Sequence, residues 1–187
     1  SPLTGVVREL HPLLAAPDDP FVTAIGVRGH EDDPSGERSS GGYSTDAGRA
    51  RAAALGEAAE RYAGAHVPDE ELRLASAAEL GPAAVDPCRF ALFAPEQHAA
   101  PGFPFEPFER TTPVRWVRGF SLPDGAEAFL PAQLVYLPWG RLASGEAPIG
   151  HATSSGLACG ATLEEAALGG LLELVERDAF MLTWSNR

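Results

Sequence analysis

Two segments of the chain, ALGEAAERYAG at 54–64 and GLLELVERDAF at 170–180, carry the same E-x-x-E-R pattern at the same offset. Each copy supplies two glutamates and one arginine: Glu57, Glu60 and Arg61 in the first, and Glu173, Glu176 and Arg177 in the second. Residues three and four positions apart lie on one face of a helix, so each copy predicts a charged stripe along a helix. The repeat therefore predicts two related helices.

Both predicted helices are apolar outside these stripes. The first is expected to begin near Ser44 or Thr45 and to end at Ala63, before a glycine. The second is expected to begin near Thr162 and to be still helical at Trp184. Because more than half of the circumference is apolar, we expect both helices to be mostly buried. Buried carboxylates are costly unless they are paired or bind a metal.

A structural role for the charged stripes is the alternative. A glutamate followed four residues later by an arginine contributes about 0.2–0.5 kcal/mol on an exposed helix. Glu165, which extends the second stripe, follows Thr162 at the spacing of a capping box. Ser44 and Thr45 can in the same way cap the first helix. The residue pattern by itself leaves this alternative open.

Four carboxylates and only two arginines would leave excess negative charge if the two helices face each other. Mg²⁺ prefers oxygen ligands, takes one or two carboxylates, and completes its octahedron with water and phosphate oxygens. Arginines can bind further phosphate oxygens. The sequence has no lysine, which excludes a Walker-type phosphate loop and a Schiff-base lysine. The stripes therefore predict a Mg²⁺–nucleotide site without a P-loop.

Composition limits the function further. The chain has 187 residues, a formal net charge of -12 and 44% hydrophobic residues, which suits a globular domain and disfavours a nucleic-acid binder. No apolar run is long enough to cross a bilayer, and the N-terminus lacks a secretory signal pattern. Two cysteines and five histidines show no metal-ligand spacing. We therefore expect a cytoplasmic protein with no nucleic-acid or membrane partner.

The other segments predict a mixed α/β (α+β) domain. We interpret residues 1–20 as a lead-in and 21–187 as the N-terminal part of a domain that is truncated at its C-terminus, because the last helix has no stop signal. The remaining predictions for the first half are a strand at 21–27, a polar loop at 29–42, a short helix at 69–81 and a turn with a short apolar piece at 86–94. For the second half they are a Pro- and Phe-rich linker or lid at 95–113, strands at 114–122 and 128–137, and a small-residue loop at 138–161. The Phe rings of the linker either pack on the core or clasp a ligand.

With these motifs the chain resembles the YcaO family, the ATP-dependent enzymes that modify peptide backbones. The family's first nucleotide motif is similar to GGYSTDAGRARAAALGEAAERYAG at 41–64. The second is similar to TSSGLACGATLEEAALGGLLELVERDAFMLTW at 153–184. The segments at 79–97 and 114–137 also resemble the family's middle segment. The resemblance implies a YcaO-like ATP-binding fold of mixed sheets and packed helices.

Within the family, the motifs most resemble those of the cyclodehydratases of azoline-containing peptide biosynthesis. For that group the resemblance implies that a Cys, Ser or Thr side chain of a ribosomal precursor peptide attacks the preceding backbone carbonyl. ATP phosphorylates the resulting oxygen, and loss of phosphate leaves a thiazoline or oxazoline. Two alternatives stay open: a YcaO enzyme that makes backbone thioamides or amidines, and a non-catalytic scaffold that binds a peptide or a partner.

The resemblance also implies roles for individual residues. The expected Mg²⁺ ligands are Glu57, Glu60, Glu173 and Glu176. The expected ATP-binding residues are Glu165, Arg61, Arg177 and Ser44. No catalytic nucleophile is assigned, and Cys159, before the second motif, is interpreted as a small packed residue.

Several positions depart from the family pattern. Ala53 stands where many members have Ser, Ala158 where some have Ser, and Ala161 where many have Asn. The family's Lys near the first motif is absent, and Tyr43 lies near its place. These changes remove polar contacts to a nucleotide but none of the expected metal ligands, and they favour the scaffold alternative.

Partners are implied by the resemblance alone. They are a ribosomal precursor peptide, a ThiF-like protein that binds its leader, a flavin dehydrogenase that oxidises azolines, and a second copy of the chain in a homodimer. The family domain also continues well beyond the equivalent of Arg187.

Overall fold

The structure, a computed structural model, describes residues 5–14, 16–18, 23–29, 39–67, 69–137 and 145–186. It has the predicted mixed α/β character. The strands are β1 (Val7–Leu13), β2 (Thr23–Gly29), β3 (Ser39–Ser44), β4 (Arg73–Ala75), β5 (Val114–Phe120) and β6 (Glu127–Pro131). The helices are α1 (Ala47–Ala65), α2 (Ala77–Leu80), α3 (Pro95–His98), α4 (Ala132–Val135) and α5 (Leu163–Ser185). The chain divides into unit 1, Ser1–His66 with Ser154–Arg187, and unit 2, Val67–Thr153.

Unit 1 contains an antiparallel sheet in the order β1-β2-β3, against which α1 packs. The alanine-rich sequence of α1 favours a helix and presents a smooth face to the sheet. Its buried alanines form a core with one strand residue, and this core consists of Ile25, Ala50, Ala54 and Ala58. The Asp46 carboxylate caps the helix by accepting a hydrogen bond of 2.8 Å from the backbone N–H of Arg49.

A glycine in β3 allows α1 to approach the sheet closely. Gly42 pairs with Ile25 of β2 and is buried under the helix. A Cβ at Gly42 would lie 2.1 Å from the carbonyl oxygen of Ala50 and 2.6 Å from the backbone nitrogen of Ala54. No side chain fits at such distances, so the small residues on both surfaces fix the helix position.

The structure corrects three local predictions in unit 1. Part of the segment interpreted as a lead-in forms β1, and the end of the predicted loop at 29–42 forms β3. Residues 30–38 of that loop lie outside the described residues, as do the first two residues of the strand predicted at 21–27. The N-cap of α1 is Asp46 and not Ser44 or Thr45. Asp46 has Arg49 three residues later in place of the Glu or Gln of a capping box, so its capping role was not evident.

Helix α5 begins as predicted, with Thr162 as its N-cap. The prediction that both helices are mostly buried is wrong. In the described part of the chain, Gly170 is the only buried residue of α5, and five of the 19 residues of α1 are buried. Leu168, Leu172 and Val175 each expose more than half of their surface. An apolar helix face is buried only where another element covers it, which periodicity does not reveal. Within the described ranges, no helix has the length and apolar composition of a membrane span.

Unit 2 contains a second antiparallel sheet in the order β4-β5-β6. Trp116 of β5 is fully buried, and its indole N–H donates to the carbonyl oxygen of Ala75 at 2.8 Å. The buried Glu146 carboxylate accepts hydrogen bonds from the backbone N–H and guanidinium of Arg115 and from the Gln133 amide. A buried carboxylate is tolerated here because charged and neutral donors surround it.

Aromatic residues of the Pro- and Phe-rich segment at 95–113 pack within unit 2. Phe93 stacks on Phe105 with ring centroids 4.8 Å apart, and Phe103 meets Phe93 edge-on at 5.0 Å. Phe108 packs against Trp116 of the core. These contacts support the packing interpretation of the Phe residues over ligand clasping.

Unit 2 also corrects several predicted boundaries. The helix predicted at 69–81 is a 3₁₀ turn, strand β4 and the single turn α2, which a capping box between Ser76 and Glu79 starts. The strand predicted at 128–137 ends at Pro131 and continues as α4. The segment at 95–113 contains the short helix α3. The predicted hairpin of β5 and β6 is confirmed.

Candidate functional site

A groove in unit 1 lies between the exposed side of α1 and the segment that precedes α5. We call it the α1 groove. Its volume is about 560 Å³. The lining residues are Ala52, Ala53, Leu55, Gly56, Glu57, Glu60, Cys159, Gly160 and Ala161. The walls are small and apolar, and the two carboxylates are their acidic groups, so the groove has the room and the charge to hold a cation with a larger ligand.

The first E-x-x-E-R copy places two carboxylates next to the guanidinium group of Arg61. An Arg61 terminal nitrogen lies 3.5 Å from Oε1 of Glu57, and its Nε lies 3.9 Å from Oε1 of Glu60. The Arg61 and Glu60 side chains expose only 21% and 17% of their surface. A guanidinium group therefore already stands as a positive charge between two oxygens that Mg²⁺ would favour. The donor set fits a hard cation.

A backbone hydrogen bond fixes the first glutamate of each copy. The backbone N–H of Gly41 donates to Oε2 of Glu57 at 2.8 Å, from 16 residues upstream. The backbone N–H of Gly156 donates to Oε2 of Glu173 at 3.1 Å, from 17 residues upstream. We call this N–H-to-carboxylate contact the glycine clasp. The E-x-x-E-R repeat is thus part of a longer structural repeat of a glycine segment and a helix.

The second copy repeats further features of the first. Arg177 lies 3.5 Å from Oε1 of Glu173, as Arg61 does from Glu57. A Cβ at Gly170 would lie 2.4 Å from the carbonyl oxygen of Gly156, so this segment packs as closely on α5 as β3 does on α1. The role of the clasp glycines was not predicted from the sequence. The sequence signal for it is a glycine 16 residues before Glu57 and another 17 residues before Glu173.

The structure does not gather the four expected metal ligands into one cluster. Glu57 and Glu60 line the α1 groove, whereas Glu173 and Glu176 are not among its lining residues. Among the described residues, no three acidic, histidine or cysteine side chains lie together as a metal site. The sequence therefore located a pair of carboxylates on each helix, but the expected four-carboxylate arrangement is absent from the described part of the chain.

Two expected ATP-binding residues make local hydrogen bonds at the starts of α5 and α1. The Glu165 carboxylate accepts from the backbone N–H of Ala161 at 3.0 Å, and the Thr162 hydroxyl accepts from the backbone N–H of Glu165. The Ser44 hydroxyl accepts from the backbone N–H of Asp46 at 3.1 Å. At the start of α5, hydrogen bonds from the backbone N–H of Glu164 and from the Thr162 side chain lower the pKa of the Glu164 carboxyl group. These contacts support the structural alternative for Glu165 and Ser44.

The departures from the family pattern lie in or beside the groove. Ala53 and Ala161 line it, and Ala158 packs opposite Gly169 of α5. Cys159 also lines it and is exposed, so the interpretation of this cysteine as a packed residue is wrong. It lies close to α1 at Gly56, where a Cβ would make an ordinary contact with the Cys159 side chain at 3.6 Å. The alanines leave the groove wall without side-chain hydrogen-bond donors at these positions.

Paired carboxylates and an arginine beside an open groove have the chemistry that binding of a phosphate through a metal would require. The chain belongs to the YcaO family: the family model described as YcaO cyclodehydratase, ATP- and Mg²⁺-binding, matches residues 41–187. This confirms the resemblance stated from the sequence.

Solved structures support the assignment. A heterocyclase in complex with substrate and cofactor superposes with a TM-score of 0.73 and 31% identity, covering 95% of this chain and 26% of that chain. The heterocyclase TruD superposes with a TM-score of 0.62 and 33% identity over 73% of this chain and 21% of its own. YcaO from Methanopyrus kandleri bound with AMPPCP and Mg²⁺ gives a TM-score of 0.62 and 25% identity over 93% of this chain and 38% of that chain.

Two curated proteins are similar in sequence. An uncharacterized protein in the tfuA 3′ region of Rhizobium leguminosarum bv. trifolii is 47% identical over 72 residues, or 38% of this chain and 16% of that protein. An uncharacterized protein of Methanothermobacter thermautotrophicus is 30% identical over 139 residues, or 74% of this chain and 32% of that protein. The chain thus spans less than a third of the length of either relative.

Proposed function

We propose that the α1 groove binds ATP through Mg²⁺ and that the chain provides the nucleotide-binding part of a YcaO cyclodehydratase. The substrate in this proposal is a ribosomal precursor peptide whose Cys, Ser or Thr becomes a thiazoline or oxazoline. The observation that carries it is the pair of carboxylates, Glu57 and Glu60, that shares one cation beside an open groove. The reaction would take place in the cytoplasm.

Each charged residue has a role in this proposal. Glu57 and Glu60 on α1 would hold Mg²⁺ at the groove, and Glu173 and Glu176 would provide a separate pair of carboxylates for Mg²⁺ on α5. When bound, Mg²⁺ would neutralise negative charge on the phosphates. Arg61 and Arg177 bind phosphate oxygens, and Glu165 and Ser44 position the segments that border the nucleotide. No side chain acts as a covalent nucleophile, because the substrate supplies the attacking group.

The comparisons support the proposal at family level. One solved neighbour is a heterocyclase with substrate and cofactor, and another YcaO protein is bound with a nucleotide analogue and Mg²⁺. Further partners in the proposal are a ThiF-like leader-binding protein, a flavin dehydrogenase and a second copy of the chain. The alanines at positions 53 and 161 mean that more of the nucleotide affinity rests on the carboxylates and arginines than on neutral hydrogen bonds.

Cys159 provides a direct test of where the nucleotide binds. We expect AMPPCP with Mg²⁺ to slow alkylation of Cys159 at least about tenfold, the reduction expected when about 90% of the sites are occupied. The reason is that Cys159 lines the α1 groove, where a bound ligand would cover it. Alkylation of each cysteine is followed by mass spectrometry of its peptide.

Cys88 is the internal control in the same molecule. It is also exposed but lies in unit 2, and hydrogen bonding to Asp86 raises the pKa of its thiol. Its reaction is therefore slower in absolute terms, and the comparison uses the ratio of rates with and without ligand. Equal protection of both cysteines, or of neither, would contradict binding in the α1 groove.

The products distinguish the cyclodehydratase from its alternatives. With the full-length protein and a precursor peptide, we expect the peptide to lose one water for each ring formed. A thioamide-forming enzyme would instead replace one oxygen by sulfur, and a scaffold would leave the peptide mass unchanged. High-resolution mass spectrometry of the peptide measures which change occurs. A sulfur-for-oxygen exchange would refute cyclodehydration while leaving the nucleotide site intact.

A further inference from the structure

Arg61 lies next to the two carboxylates that line the α1 groove. Its guanidinium group approaches both Glu57 and Glu60, at 3.5 and 3.9 Å. The arginine and Glu60 are largely shielded from water. Attraction between opposite charges increases as water is excluded, so this contact is stronger than an ordinary surface ion pair.

A metal ion and this guanidinium group would compete for the same oxygens. Oε2 of Glu57 accepts the glycine clasp from Gly41, and Oε1 is the oxygen that Arg61 approaches. A metal on Oε1 would take the place of Arg61. The displaced guanidinium would then be free to bind a nucleotide phosphate, which carries the opposite charge.

We propose that Arg61 is an internal counter-ion that must be exchanged for the metal, and that this exchange couples metal binding to nucleotide binding. Without nucleotide, the metal has to displace an arginine that has no phosphate to receive it. With nucleotide, the phosphate receives the arginine and the metal binds the vacated oxygens. The site thereby selects a metal–nucleotide complex over the free metal ion. This inference rests on the proposed function of the α1 groove.

The second repeat provides a matched comparison. Arg177 makes the same contact with Glu173, but its side chain exposes 57% of its surface. Among the described residues, Arg177 forms an ion pair with Glu173 alone. A more exposed arginine with one carboxylate partner competes less strongly with a metal. Removal of Arg177 should therefore have a smaller effect on metal affinity than removal of Arg61.

The test measures Mn²⁺ affinity, with and without AMPPCP, by electron paramagnetic resonance of the free ion. The proteins are the parent chain, Arg61→Gln and Arg177→Gln. Without nucleotide, we expect Arg61→Gln to bind Mn²⁺ about three- to tenfold more tightly than the parent, and Arg177→Gln at most about twofold. With AMPPCP, after subtraction of the Mn²⁺ that AMPPCP binds in a sample without protein, we expect the parent to gain affinity for Mn²⁺ and Arg61→Gln to lose most of that gain. A purely structural role for Arg61 would not raise metal affinity.

Several results would overturn the proposal. Unchanged or weaker Mn²⁺ binding by Arg61→Gln, with normal binding by the parent in the presence of AMPPCP, would refute the exchange and leave the proposed function intact. No Mn²⁺ binding by the parent even with AMPPCP would refute both. A similar gain with and without nucleotide would indicate simple removal of a positive charge and would also refute the coupling.

A second variant keeps the test valid if Arg61→Gln does not fold. Arg61→Lys retains the positive charge, but a single ammonium group replaces the fork that bridges the two carboxylates. We expect it to reduce the effect of AMPPCP on Mn²⁺ affinity at least about twofold. Coupling equal to that of the parent would overturn the proposal.

Discussion

Replacement of Glu57 or Glu173 by glutamine is expected to lower the affinity for Mg²⁺–AMPPCP at least about 100-fold. The proposed metal ligands lose their charge in these variants, and a neutral amide oxygen is a much weaker partner for Mg²⁺ than a carboxylate. Outer-shell partners of metals already account for about 10- to 100-fold in affinity, so direct ligands should account for at least as much. Isothermal titration calorimetry of the parent and variants measures the loss.

Glutamine is preferred to alanine because of the glycine clasp. The carbonyl oxygen of the new amide can still accept from the backbone N–H of Gly41 or Gly156. Alanine would remove this contact together with the charge, and would leave a half-buried N–H without its acceptor. Loss of binding in the alanine variants could then reflect a displaced glycine segment.

Asp178→Asn is the matched control for the glutamine variants. Asp178 lies on α5 near Glu173, is exposed, and falls outside the charged stripe. The substitution changes the net charge by the same amount, so a general electrostatic effect would appear in all three variants. Parent-like binding by both glutamine variants would show that the sites are wrongly assigned, and equal losses in Asp178→Asn would show that they are not specific.

Gly42→Ala is expected to destabilise unit 1 by about 3 kcal/mol. The new methyl group would lie 2.1 Å from the carbonyl oxygen of Ala50 and 2.6 Å from the backbone nitrogen of Ala54. Both atoms belong to the backbone of α1, so relief requires the whole helix to move away from the sheet. Faster amide hydrogen exchange throughout α1 is the expected result, because opening of this helix becomes less costly.

The neighbouring glycine is the control for this prediction. A Cβ at Gly41 would lie 3.5 Å from its nearest neighbour, the carbonyl oxygen of Ile25, which is an ordinary contact. Gly41→Ala also keeps the backbone N–H of the clasp. We therefore expect exchange in α1 to change little, while unit 2 serves as an internal reference in both variants. Equal exchange rates in Gly42→Ala and the parent would contradict the close packing of β3 on α1.

The positions of the two main helices could be predicted because their signals are local. The alanine content of α1, the Thr162 cap of α5 and the i, i+4 spacing of both repeats lie within a few turns of one helix. The hairpin of β5 and β6 was also found, because a Pro-Asp-Gly turn separates two apolar segments. Strand β3 was missed because its sequence, SSGGYS, has the composition of a loop.

Strand β3 shows what tertiary contacts add. Gly42 is required by the close approach of α1. The position of β3 in the sheet depends on pairing with β2, which the six residues of β3 do not reveal by themselves. The burial of α5 was predicted wrongly for a similar reason. Periodicity defines an apolar face, but only the surrounding elements decide whether that face is covered.

The sequence by itself determined the family, the two charged helices and the carboxylate–arginine pairs, because each of these depends on residue type and short spacing. Only the tertiary structure decided that Glu57 and Glu60 share a groove with Cys159, and that Gly41 and Gly156 fix the first glutamate of each repeat. It also decided that Arg61 stands between two carboxylates while Arg177 is more exposed. The groove and the glycine clasp join residues distant in the chain, and the exposure of each arginine depends on the segments that pack around its helix, so none of these features follows from short spacing.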